Sequence, residues 1–133
     1  METHLDFSAF EQALGTLDEA LKKFATNRAD DFVRDACIQR FEYSYELATK
    51  MLRRFLANTE SVPVEITELS FPDLIRLGSK RGLLLHDWEK WSEYRTARNI
   101  TSHTYDRKKA NQVIALLPDF FTDAEYLLNK RKN

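Results

Sequence analysis

The sequence has one cysteine, three glycines and three prolines in 133 residues. A lone Cys37 cannot close an intramolecular disulfide, so a core must hold the fold, as suits a chain working in a reducing cytoplasm. An all-β domain needs many tight turns, and so few Gly and Pro favour a few long elements joined by few loops instead. Long apolar runs are also missing. The longest stretch without a formal charge, Ala110 to Pro118, is far shorter than the ~20 apolar residues of a membrane-spanning helix, so no membrane segment is expected. The N-terminal METHLDFSAFEQ has an early acid and no basic start before an apolar stretch, unlike a secretory signal. Gly15, Gly78 and Gly82 match neither a phosphate-cradling loop nor a dinucleotide fingerprint. His4, His86, His103 and Cys37 lack the spacing of a zinc site, so neither a metal nor a cofactor is expected.

An excess of one charge sign is missing overall, with 20 Lys+Arg against 21 Asp+Glu and a net charge of −1. That balance hides an asymmetry. Residues 1–66 carry 8 basic and 12 acidic side chains and residues 67–133 carry 12 and 9, so the halves stand at −4 and +3. The basic half is a weak electrostatic footprint for an anionic partner.

What is present is 43% hydrophobic residues and nine Phe, enough to bury a core in one domain over residues 1–133. Phe10, Leu14, Leu17, Leu21 and Phe24 recur at steps of four and three, predicting a first amphipathic helix over about 6–25. Cys37, Phe41, Tyr45, Ala48, Leu52 and Phe55 repeat the pattern and predict a second over about 30–57. Asn58 to Ser70, interrupted by Pro63, reads as an irregular connector. Ser70 as N-cap, Pro72 in the first turn and Gly82 at the end predict a third helix over about 71–81. Asp87 can cap a fourth through Trp88 to Ser102, and Arg107 to Lys130 gives a fifth, in which Pro118 predicts a kink. The expected fold is all-α, an antiparallel four- to five-helix up-and-down bundle.

The fourth helix departs from the pattern. EYRTARNITSHTY, Glu93 to Tyr105, holds two Arg, an Asn, a Ser, a His and two Tyr, with Ala97 and Ile100 as its only aliphatics. One reading is a solvated helix anchored by Trp88 and Trp91. The other is a site in which these groups converge. On an unbroken helix Arg98 and His103 lie about 140° apart, so they meet only if the helix ends near the weak helix formers Thr101 and Ser102, or if two copies complete the site together. Glu42 and Glu46 flank the apolar stripe of the second helix. They are expected either to pair with Arg95 or Arg98, if the two helices pack, or to form a solvated face with Glu46 bonding Lys50 at i+4. His86, beside Asp87, reads as a loop or capping residue. Arg107, Lys108 and Lys109 could steer phosphate, or simply be solvated.

The segment RNITSHTY, Arg98 to Tyr105, resembles the Arg, four residues, His, any residue, Tyr signature of HEPN-domain proteins, particularly the HepT toxins. IQRFEYSYELATK, Ile38 to Lys50, is similar to the second helix of the related nucleotidyltransferase substrate-binding proteins, with Thr49 where a Trp is expected. The resemblance covers essentially the whole chain in helix order. It implies a HEPN-like bundle that forms a homodimer, or a heterotetramer with a minimal nucleotidyltransferase encoded nearby, with the second and fourth helices at the interface. It further implies a metal-independent endoribonuclease with Arg98 and His103 catalytic, controlled by AMP transfer from that partner onto Tyr105. The older family name implies instead a subunit that binds a nucleotide or RNA substrate for the nucleotidyltransferase without cleaving it. A third possibility is an interaction bundle whose polar helix seals a dimer.

The side chains suit the ribonuclease reading. His103 can exchange protons near neutral pH, and Arg98 presents a permanent planar charge to a phosphorane. Asn99 and Ser102 could hydrogen-bond phosphate or orient the histidine, Tyr105 could stack on a base, and Arg95 is a further phosphate ligand. With no glycine-rich phosphate loop, the chain is not itself a nucleotidyltransferase of ordinary design.

Overall fold

A computed structural model describes residues 5–61 and 63–132, so His4 lies outside the described residues. It is an all-helical antiparallel bundle of α1 (Ser8–Ala25), α2 (Asp31–Thr59), α3 (Pro63–Glu68), α4 (Phe71–Lys80), α5 (Trp88–Ile100) and α6 (Arg107–Asn129). Short 3-10 turns follow α5 at Thr101–His103 and α6 at Lys130–Lys132. The predicted fold class stands, with one helix more than expected. The stretch from Asn58 to Ser70 is not an irregular connector throughout: α2 runs on to Thr59, and Pro63 opens α3, where the missing N–H has no intrahelical partner to lose.

Local signals fix the other boundaries. Asp30 accepts from the backbone N–H of Phe32 and Val33 to start α2, Ser70 accepts from Asp73 to start α4, and Asp87 accepts from Trp88 to start α5. Asp106 does the same for α6 through Lys108 and Lys109. This acidic cap offsets the dipole conflict of a helix that begins with three cations. Gly82, with φ of +76°, ends α4. The N–H of Leu83 reaches back to the Gly78 carbonyl at 2.9 Å and that of Gly82 to Ser79 at 3.0 Å, the paired closure that needs a left-handed residue at this position.

The helices share one core. Phe10, Leu14 and Leu17 of α1 pack with Cys37, Phe41, Tyr45, Ala48 and Leu52 of α2 and with Val113, Leu117, Phe120, Ala124 and Leu127 of α6. At its centre the Phe120 ring lies 5.0 Å from Phe41 and 5.5 Å from Tyr94, edge to face in both cases. The polar fourth helix of the sequence does own a buried seam. Trp91, Tyr94 and Ala97 repeat every three residues, continued by Thr101, and two of the four are aromatics that carry a polar atom. Its opposite face is free to carry the site. No helix among the described residues is long and apolar enough to cross a membrane.

Candidate active site

The 3-10 turn at Thr101–His103 ends α5 inside the motif, where the weak helix formers were expected to end it. Arg98 and His103 are thereby separated onto different local structures. Arg98, on the last turn of α5, points at α2. Its Nε and Nη2 each lie 3.2 Å from Glu46 Oε1, and Nη1 lies 3.6 Å from Glu42 Oε2. Thr101 Oγ1 accepts from Arg98 Nη1 at 3.3 Å and sits 3.1 Å from Glu42 Oε2 and 2.8 Å from the Arg98 carbonyl. The two glutamates therefore face the arginine across the α2/α5 boundary. Glu46 pairs with Arg98 and not, as the alternative had it, with Lys50.

Arg98 keeps 33% of its side chain exposed, so the cluster stands at the surface even though all three guanidinium nitrogens have partners. His103 and Tyr105 lie beyond it on the exposed turn, rings 6.2 Å apart and nearly perpendicular. Tyr105 is 86% exposed, with its hydroxyl accessible from outside. Asn99 and Ser102 are exposed as well. Arg95 is drawn elsewhere: its guanidinium sits 5.5 Å above the ring of Phe71 on α4. Arg107 lies 3.6 Å from Asp31 at the start of α2, which brings the basic start of α6 to that end of the bundle. The motif thus divides into an arginine held by carboxylates and a histidine and tyrosine displayed to solvent. No hydrogen bond or ring contact joins Arg98 to His103 among the described residues.

A second polar group escaped the sequence reading. Asp123 of α6 has no exposure, and both its oxygens lie near His86 Nδ1, at 2.9 and 3.0 Å, while the Tyr94 hydroxyl donates to it as well. His86 lies in the loop before α5, as one of its two readings had it, but instead of capping a helix it closes a buried carboxylate whose other partner is a core tyrosine. Burial first, and the bond to Asp123 second, push the Tyr94 hydroxyl far above its ordinary range. One sequence signal pointed there. Asp123 follows Phe120 by three and precedes Leu127 by four on the apolar register of α6, where a carboxylate must find donors. Among the described residues no group of three His, Cys, Asp or Glu side chains could hold a metal ion.

Against this geometry the similarities of the chain take on meaning. A Haemophilus influenzae protein named probable ribonuclease HepT is 42% identical over 93 residues, which cover 70% of this chain and 63% of that protein. A solved Haemophilus influenzae structure, described as revealing the fold of a substrate binding domain of a nucleotidyltransferase, superposes with a TM-score of 0.89 at 31% identity, covering 96% of this chain and 100% of that one. A Thermus thermophilus structure follows at a TM-score of 0.73 and 30% identity, covering 93% and 99%. The model of the family described as nucleotidyltransferase substrate binding protein like matches residues 5–133, and the chain belongs to that family.

Proposed function

We propose that this chain is a HepT-type endoribonuclease subunit that needs no metal, works in the cytoplasm as a homodimer, and forms the toxin half of a two-gene system with a minimal nucleotidyltransferase. The observation that carries this reading is the placement of the motif. Arg98 is held at the α2/α5 boundary with a third of its side chain exposed, and His103 and Tyr105 stand exposed on the turn that follows.

In the reaction, His103 takes the proton of an RNA 2′-hydroxyl and the 2′-oxygen bonds to phosphorus. The bond from phosphorus to the 5′-oxygen breaks, and that oxygen takes a proton from an imidazolium, leaving a 2′,3′-cyclic phosphate and a 5′-hydroxyl end. Arg98 donates to the phosphorane oxygens as their charge grows. One protomer has a single motif histidine, whereas the reaction uses a base and an acid, so the second proton carrier is His103 of a second copy. Glu42 and Glu46 hold the guanidinium in place until phosphate competes for it. Asn99 and Ser102, exposed beside the motif, supply further donors to phosphate.

Control falls to Tyr105. Its hydroxyl oxygen bonds to the α-phosphorus of ATP bound by the partner nucleotidyltransferase, pyrophosphate leaves, and the hydroxyl proton passes to solvent. The attached AMP places bulk and negative charge beside the motif and blocks RNA. The alternative is a non-catalytic subunit that binds a nucleotide or RNA for the partner. It is favoured by the engagement of Arg98 with two carboxylates before any substrate arrives. Purified wild type, His103→Ala and Arg98→Ala incubated with single-stranded RNA separate the two: cleavage by wild type alone supports the enzyme, and RNA binding without cleavage by wild type supports the binding subunit.

A further inference from the structure

Beside the Arg98 cluster a groove of about 400 Å³ runs between the last third of α2 and the α3/α4 segment. Its volume falls within the range of small-ligand pockets, most of its lining surface is apolar, and three of its eight lining residues are basic. Lys50, Arg53 and Arg54 enter it from α2 at the spacing that places residues on one helix face. Arg53 builds the wall. Its Nη1 donates to the carbonyls of Ile66 at 2.8 Å and Leu69 at 3.0 Å, which ties the end of α3 and the start of α4 to α2 while its charge stays in the groove. Lys50 and Arg54 are in no ion pair among the described residues, and the one carboxylate on the lining, Glu46, faces Arg98.

Two features join this groove to the motif. Glu46 lines the groove on one side and holds Arg98 on the other. Phe71, on the groove lining, carries Arg95 of α5 above its ring, so positive charge continues from Arg54 and Lys50 past Arg95 to Arg98. Eight residues of helix separate Glu46 from Arg54, roughly 12 Å along the axis at ~1.5 Å each. That is the reach of a short oligonucleotide, longer than one phosphate. The hydroxyl of Thr67 donates to the Val64 carbonyl at 2.8 Å, which leaves its lone pairs free to accept from a ribose hydroxyl. The cores of protein interfaces are depleted of charged residues, whereas four of these eight lining residues are charged and three of the four are basic, so charge complementarity favours a polyanion over a protein partner.

We propose that the groove is a subsite for the RNA strand flanking the scissile phosphodiester, in which Lys50 and Arg54 hold the neighbouring phosphates. This rests on the reading of the motif as an RNA site and adds where the strand runs. Lys50 and Arg54 are both exposed, so replacing them leaves the core intact.

The test is equilibrium binding of a fluorescent single-stranded oligoribonucleotide to the full chain across a salt series, with wild type, Lys50→Ala/Arg54→Ala and Ser92→Ala as a control in another groove. The double variant is expected to bind at least about tenfold more weakly, with a salt slope reduced by about one to two, and the control to match wild type. Wild-type affinity and slope in the double variant overturn the proposal, as does a wild type that binds no RNA. Parallel cleavage assays keep the failures apart: RNA bound through the groove but never cut supports the subsite and defeats the enzyme, and RNA cut equally well by the double variant defeats the subsite alone.

Discussion

Arg98 donates across the α2/α5 boundary to Glu46, with Nε and Nη2 both 3.2 Å from the same carboxylate oxygen. A phosphate seeking that guanidinium must compete with a carboxylate already in position. The pair serves to orient the arginine more than to stabilise the fold, because Glu46 remains 61% exposed and water screens the attraction. Glu46→Gln is therefore expected to cost less than about 1 kcal/mol of stability by denaturant titration. In the RNA assay it should lower KM, by removing a competing charge, and lower kcat several-fold, by loosening Arg98. An unchanged kcat and KM would deny Glu46 any part in the site.

Tyr105 is 86% exposed and contributes nothing to the core, so Tyr105→Phe should melt with wild type. Co-expression with the nucleotidyltransferase of the proposed two-gene system, followed by intact-mass measurement, should show AMP adducts on wild type and none on the variant. Adducts that persist in Tyr105→Phe would move the acceptor elsewhere.

The elements that repeat locally were legible in the sequence, and the contacts that join distant residues were not. Steps of three and four set the long helices, and Ser70, Asp87 and Gly82 mark ends that depend only on neighbours in the chain. The pairing of Glu46 with Arg98 was among the expected outcomes, because an inward carboxylate requires a cation and few were on offer. α3 was missed because proline stops a helix from inside and starts one from its first turn, and spacing alone does not distinguish the two. Asp123, His86 and Tyr94 were missed because they come from separate segments. His86 lies 37 residues from Asp123 and Tyr94 lies 29 from it, beyond the reach of any periodicity.

Phe120 touches Phe41, Tyr45, Trp91 and Tyr94, and so couples α2, α5 and α6 through one ring. Phe120→Ala should cost about 3–5 kcal/mol by denaturant unfolding, while Phe120→Leu, which keeps most of the volume, costs less. A loss under about 1 kcal/mol for the alanine variant would mean that the helices do not share this centre.

Burial pushes the Tyr45 hydroxyl up to about 12 and moves Tyr94 in the same direction. Both groups are neutral when protonated, and the folded state holds the proton more tightly than the unfolded chain does. Their contribution is thus complete below pH ~10, the unfolded value, and is lost as pH rises from there through the folded values. For Tyr45 alone the loss across that window amounts to about 3 kcal/mol. Stability measured between pH 8 and 12 should fall less steeply in Tyr45→Phe than in wild type. Parallel curves would contradict the burial assigned to this hydroxyl.

The most direct measurement is the initial rate of single-stranded RNA cleavage by the purified chain in excess chelator, wild type beside His103→Ala. Wild type is expected to produce 2′,3′-cyclic phosphate ends, and the variant to cleave about 10²–10⁴-fold more slowly, the range lost with a proton-transfer group. Equal rates in the two proteins, or no cleavage by either, would contradict the assignment of this bundle as a ribonuclease.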